Sequence, residues 1–199
     1  MYAYVRRSGV SAADAEDLTQ GYFARFIEKE VVRDAHRDRG RFRAFLLVSV
    51  RHYLSNERDR ERAQKRGGGR RLVSLDAEAA EKKLAAEPPD PATPETEFEK
   101  SWARTVMDRV WGRLADHYAR RGKSDRFARL KPFLQDGAPG AYDAEVAAEW
   151  GVSPEAVRLE LHRMKKRFGD FLREEIGRTV DDPADVDDEI RHLFEVLGP

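Results

Sequence analysis

The sequence predicts an all-α fold: two small helical domains joined by an acidic, proline-containing linker. Three observations predict it. Apolar residues recur at three- and four-residue spacing wherever a pattern exists, and none alternates with the period of two that a half-buried strand requires. Gly67-Gly68-Gly69 cannot hold a helix, and Pro88, Pro89, Pro91 and Pro94 punctuate an acidic stretch from Asp76 to Glu99. Of 199 residues, 37% are charged and 40% apolar, which suits two modest cores.

Each helix has its own warrant. Ser11 has the chemistry of an N-cap with Asp14 three residues on, and Asp14, Glu16 and Asp17 suit the positive end of a helix running to Glu30. Leu18, Tyr22, Phe26 and Phe23, Ile27 recur along it. Phe42, Phe45, Leu46, Ser49, Val50, Tyr53 and Leu54 form the stripe of the next helix. The linker reads as extended, with at most a short helix near 77–86. Phe98, Trp102, Val106, Val110, Leu114 and Tyr118 mark a long third helix. Phe127, Leu130, Phe133 and Leu134 mark a shorter one, which Pro132 should end or bend. Val157, Leu161, Met164, Phe168, Phe171, Leu172 and Ile176 line another long helix, and Val186, Ile190, Leu193, Phe194 and Leu197 the last. The expected division is a first domain at 1–67, a linker at 68–97, a second domain at 98–180 and an acidic terminal helix at 181–199.

The net charge is zero, but the average hides a pattern. Residues 1–75 hold 17 Lys+Arg against 10 Asp+Glu, a net of +7, and residues 101–180 hold 16 against 12, a net of +4. Between and after them, 76–100 hold 3 against 8, a net of −5, and 181–199 hold 1 against 7, a net of −6. Alternating basic and acidic blocks suggest separate binding faces.

In the second basic block, residues 144–167 have the pattern of a helix-turn-helix. Ala147 is small enough for two helices to approach, and Gly151 permits a left-handed turn. Ser153 suits an N-cap, and Pro154 the first helical position. With Val157, Leu161 and Met164 inside, Glu155, Arg158, Leu159, His162, Arg163 and Lys166 face outward. Arg158 and Arg163 could bond guanine or phosphate, and Leu159 could touch a thymine methyl. Lys165, Lys166 and Arg167 lie further along, where phosphate is the nearer partner. The bland alternative is a solvated basic face.

The first basic block interleaves aromatics with arginines from Arg39 to Arg66, and between Arg51 and Arg71 eight Lys/Arg face three acids. Stacking rings beside guanidinium groups suit single-stranded or unstacking DNA, and Asn56 can read a base edge. Against this, Phe42, Phe45 and Tyr53 fall on the apolar stripe of a core. The preceding helix offers Gln20, Tyr22, Arg25 and Phe26 on its far side, either a protein-binding face or an ordinary core helix.

Three motifs, in order, resemble the extracytoplasmic-function sigma factors of the sigma-70 family. Asp14-Ala15-Glu16-Asp17-Leu18-Thr19-Gln20 with Tyr22-Phe23 resembles the core-binding signature of region 2. Gly40-Arg41-Phe42-Arg43-Ala44-Phe45-Leu46 and the basic helix after it resemble the promoter-melting segment. Glu145-Val146-Ala147 through Arg167 resembles the region 4 helix-turn-helix. The resemblance implies that Asp14, Glu16, Asp17, Gln20, Tyr22, Phe23 and Phe26 dock on core RNA polymerase. It implies that Arg41, Phe42, Arg43, Phe45, Arg51, His52, Asn56 and Arg60 open and read the −10 element. It assigns Ser153, Arg158, Leu159, His162, Arg163 and Lys166 to the −35 element. The acidic stretch 76–99 would run through the polymerase's RNA exit path, where a polyanion can stand in for RNA. Promoter DNA and core polymerase are the implied partners, and an anti-sigma factor is a further candidate. The family normally carries another helix ahead of Tyr2-Ala3-Tyr4-Val5, so the reading frame is expected to extend upstream. The acidic tail, beyond the family's minimum, is expected either to fold over Arg158–Arg167 or to pack beside the second domain.

Other classes find little support. With no cysteine, disulfides, thiolate zinc sites and cysteine nucleophiles are excluded. The five histidines are scattered, and no phosphate loop, zinc-protease or nucleophile motif is present. No enzyme activity, cofactor or metal is expected. No run approaches the roughly 18 apolar residues of a membrane span, so a cytoplasmic chain with no membrane partner is expected. The rival reading is a helix-turn-helix regulator that acts without polymerase.

Overall fold

Among the described residues the chain is all-α, with eight α-helices, one 3-10 turn and no strand. The computed structural model describes residues 1–28, 41–64, 93–135, 137 and 142–198. The glycine run at 67–69, the short helix expected near 77–86 and most of the expected linker lie outside the described residues. In order come α1 (Tyr2–Arg7), α2 (Ala12–Glu28), α3 (Phe42–Gln64), α4 (Pro94–Ala119), α5 (Ser124–Gln135), α6 (Tyr142–Trp150), α7 (Pro154–Gly177), the 3-10 turn Pro183–Asp185 and α8 (Val186–Leu197). No helix among the described residues is long and apolar enough to cross a membrane.

Local chemistry sets the helix ends. The backbone N–H of Asp14 donates to Ser11 Oγ at 3.2 Å, and that hydroxyl donates to the Asp14 carboxylate at 2.7 Å, which caps α2 as expected. Gly151 turns the chain between α6 and α7 at φ +64°, and Ser153 Oγ accepts from the Ala156 N–H at 3.2 Å. Pro132 lies inside α5, which ends at Gln135. The helix continues to Gln135, because proline removes only its bond to the carbonyl of Ala128, and Ala128 is exposed to water.

Two compact units divide the described residues: one draws on Met1–Arg104 and Thr179–Pro199, the other on Thr105–Arg178. The change of unit falls inside α4. Phe98 was expected in the second domain, but it lies 3% exposed in the first core, edge-on to Tyr4 at 6.3 Å. A continuous helix can present one stripe to one core and a later stripe to the next.

In the first unit α2 buries Ala15, Tyr22 and Phe26, α3 buries Val50 and Leu54, and α1 adds Tyr4 and Val5. Each large apolar side chain so buried contributes about 1.5–3 kcal/mol. Both expectations for the acidic tail are corrected. It groups with the first unit, where Leu193 is fully buried and the carboxylate of Glu189, 1% exposed, meets Arg43 at 2.7 Å and Arg41 at 3.0 Å.

In the second unit Leu114 and Tyr118 of α4 pack with Leu130 of α5, Val146 and Ala147 of α6, and Val157, Leu161 and Met164 of α7. Arg109 of α4 reaches Glu175 of α7 at 3.1 Å, and Arg113 pairs with Glu174 while lying 4.4 Å over the Phe171 ring. These contacts fix the roll of α7 and therefore which residues it turns outward.

Candidate nucleic-acid interface

Helix α7 carries the clearest polar face. Its period sinks Val157, Leu161 and Met164 to 3% exposure or less, which forces Arg158, Leu159, His162, Arg163 and Lys166 outward. Leu159 is 48% exposed. The hydroxyl of Ser153 is engaged in its cap. Arg158 is held by Asp143 on α6 and by Glu155 at 2.7 Å. Arg163 and Lys166 have no ion-pair partner among the described residues.

Beside these two cations lies an open groove of about 390 Å³. The end of α4 and the turn after it supply His117, Tyr118, Arg121 and Lys123 to it, and α7 supplies Arg163, Lys166 and Arg167. Glu160 and Asp170 offset part of the charge, through Lys123 at 3.4 Å and Arg167 at 3.8 Å. Burial, and then the charges of Arg121, Arg167 and Arg120, hold the His117 imidazole below its usual pKa. Burial, followed by the Glu160 charge, pushes the Tyr118 hydroxyl up to about 12. Five cations against two acids line the groove and give it a positive potential suited to an anion. Sequence reading missed His117, Arg121 and Lys123. The available signal was the run Arg120-Arg121-Gly122-Lys123, in which Gly122, at φ +66°, turns the chain just past a helix end.

In the first unit the expected sites divide by burial. On α2, Gln20 is exposed, Asp14 and Asp17 are half-buried, and Phe23 is 40% exposed. The far side that was to offer Tyr22 and Phe26 buries them instead, to 3% and 8%, and Glu16 is 7% exposed. The cause is α3: Tyr22 packs edge-on to Tyr53 at 5.6 Å, and Phe26 meets Phe45 at 6.4 Å. The open apolar surface of α2 is Phe23 with Ile27, the latter 73% exposed.

On α3, Phe42 and Phe45 pack against the core, and Arg43 is buried at 6% with Glu189 and Glu99 as partners. Burial works against the Arg43 charge, but Glu189 and then Glu99 outweigh it and hold its pKa above the ordinary arginine value. Arg51 pairs with Glu95, and Arg60 with Glu57 at 2.7 Å. His52 and Asn56 are exposed. A small cavity of about 150 Å³ joins residues expected in two separate sets: Tyr22 and Phe26 from α2, His52 and Asn56 from α3, together with Arg25 and Ser49.

Among the described residues no group of three His, Asp or Glu side chains is placed to hold a metal ion. No family model, curated protein or solved structure matches this chain.

Proposed function

We propose that the chain is a transcription initiation factor of the extracytoplasmic-function sigma type, which binds core RNA polymerase and grips promoter DNA at two points. In this reading α7 enters the −35 duplex and α3 acts at the −10 element. The chain makes no bond itself, since the polymerase does the chemistry, and it works in the cytoplasm.

One observation carries the DNA part. Exposed Leu159, His162, Arg163 and Lys166 lie on a capped helix, and the last two, which have no ion-pair partner among the described residues, stand beside a groove lined by further cations. Base contacts by Arg163 and Leu159 would specify sequence, and Lys166 with the groove cations would hold phosphate. The polymerase part is supported by the three sequence motifs in order and by the exposed Phe23 and Ile27 of α2.

A second reading, a DNA-binding regulator that acts alone, is favoured by the burial of Glu16, Tyr22 and Phe26. It needs no docking face on α2. Co-purification with core polymerase followed by run-off transcription separates the two. A sigma factor forms the complex, loses it on Asp17→Arg with Phe23→Ala, and directs initiation. A lone regulator forms no complex and binds a specific duplex tightly as free protein.

A further inference from the structure

Glu189 sits between two arginines of the segment that begins α3. Arg43 Nε donates to one of its carboxylate oxygens at 2.7 Å and Arg43 Nη2 to the other at 3.3 Å. Arg41 Nε lies 3.0 Å from the second oxygen. The third arm of Arg43 reaches Glu99, and its guanidinium lies 5.8 Å over the Trp102 ring. Around this fork α8 is anchored by Leu193, fully buried, and by His192 Nε2 at 2.6 Å from Glu99. The carbonyl of Thr179 accepts from the Phe42 N–H at 3.0 Å, which ties the tail's start to the same segment.

Two guanidinium groups around a pair of anionic oxygens make a geometry that accepts a carboxylate or a phosphodiester equally well. We propose that Arg41 and Arg43 form a phosphodiester site for single-stranded DNA, which the chain itself keeps closed with Glu189 of α8. This rests on the DNA-binding reading above and adds to it a site with a built-in competitor. The tail suits the task. Asp187, Asp188 and Glu189 stand in the first turn of α8, and residues 181–199 carry a net of −6, so the tail is repelled by a bound strand once displaced. Displacement returns Glu189 to water and leaves Arg43 paired with Glu99 until phosphate arrives, so neither charge is left buried and unpaired.

Anisotropy of a labelled single-stranded oligodeoxynucleotide, measured on the full chain, tests this. Glu189→Gln removes the competing charge, and Leu193→Ala removes an apolar anchor of α8 without touching a charge. Each is expected to raise affinity by about tenfold, as follows if about one molecule in ten is open at rest. The slope of log affinity against log salt should stay close to the parent's, because the open site neutralises the same two phosphates in all three proteins. Adding Arg41→Ala should remove most of the rise in affinity; a rise that survives it overturns the proposal. The unaltered chain gives an independent reading that depends on no variant folding. Amide exchange along α8 should speed up when the strand binds, and an α8 that stays equally protected overturns the closure. A chain that binds duplex DNA through α7 but never opens α8 loses this site alone. A chain that binds neither strand nor duplex loses the DNA reading as well.

Discussion

The hydroxyl of Tyr53 on α3 lies against the bare backbone of Gly21 on α2, where an added Cβ would stand 2.5 Å from it. The next nearest atom, the Tyr53 Cζ, would be 3.7 Å away, an ordinary contact, so the clash belongs to the hydroxyl oxygen. Two terms therefore oppose each other in Gly21→Ala. Alanine gains about 1 kcal/mol of helix propensity over glycine, whereas the overlap forces the Tyr53 ring off its edge-on packing with Tyr22, an overpacking term of about 1–3 kcal/mol. Gly21→Ala is expected to lower Tm in the parent chain and to raise it in a Tyr53→Phe background. Thermal unfolding of the four proteins reads the coupling, and strictly additive effects would show that the two helices do not meet here.

His117 gives a prediction with a definite sign. Its pKa is held below 6.5 by burial and then by Arg121, Arg167 and Arg120, so the folded chain favours the neutral ring. The stability this contributes is intact above about pH 6.5 and is lost as pH falls through the lower folded value. Phosphates in the groove would offset the cations and raise the pKa. Duplex binding should therefore take up a proton and tighten as pH falls through that window. An NMR titration of the His117 ring, with and without duplex DNA, checks it; an unmoved pKa places the phosphates elsewhere.

What the sequence disclosed and what it hid follow from the range of the interactions. Ser11, Gly151, Ser153 and Pro154 act on neighbours a few residues away, so cap and turn chemistry were readable directly. Val157, Leu161 and Met164 repeat a period that only a helix satisfies. The facing of α2 was ambiguous, because Tyr22 and Phe26 on one side and Phe23 and Ile27 on the other are equally apolar; only α3 decides which pair is covered. Arg43 and Glu189 are separated by 146 positions, and no local pattern joins them. The groove at His117 likewise pairs the end of α4 with the middle of α7. The change of unit within α4 leaves no mark in composition, because the helix continues through it.

Arg163 and Lys166 should fail differently when removed. Arg163 lies nearer the start of α7, where base edges come within reach, so Arg163→Ala is expected to cost about 1–3 kcal/mol on the preferred duplex and less on others. Lys166 adjoins the groove and should act on phosphate. Lys166→Ala would then weaken all duplexes alike and reduce the salt slope by about 0.9. Arg158→Ala should matter less than either, since Asp143 and Glu155 already occupy its guanidinium. Affinity measured on two duplex sequences over a range of salt separates these outcomes. Equal losses on both sequences for Arg163→Ala would move it to the phosphate class.

Ser153 allows the cap and the interface to be tested apart. Its hydroxyl accepts from the Ala156 N–H at 3.2 Å, so Ser153→Ala leaves that donor without a protein partner and should cost about 1 kcal/mol of stability. If the hydroxyl only caps, duplex affinity of the folded protein changes little. Ser153→Asp keeps an acceptor and adds a negative charge at the positive end of α7, so the helix should be at least as stable as before. The same charge would stand at the end of α7 that enters the duplex, against phosphate, and affinity should fall by about tenfold, or 1.4 kcal/mol. Stability and duplex affinity are thus expected to separate in opposite directions for the two substitutions. A Ser153→Asp chain that is stable and still binds duplex as tightly as the parent means that the start of α7 does not face DNA, and the assignment of Leu159 and Arg163 to base contacts falls with it.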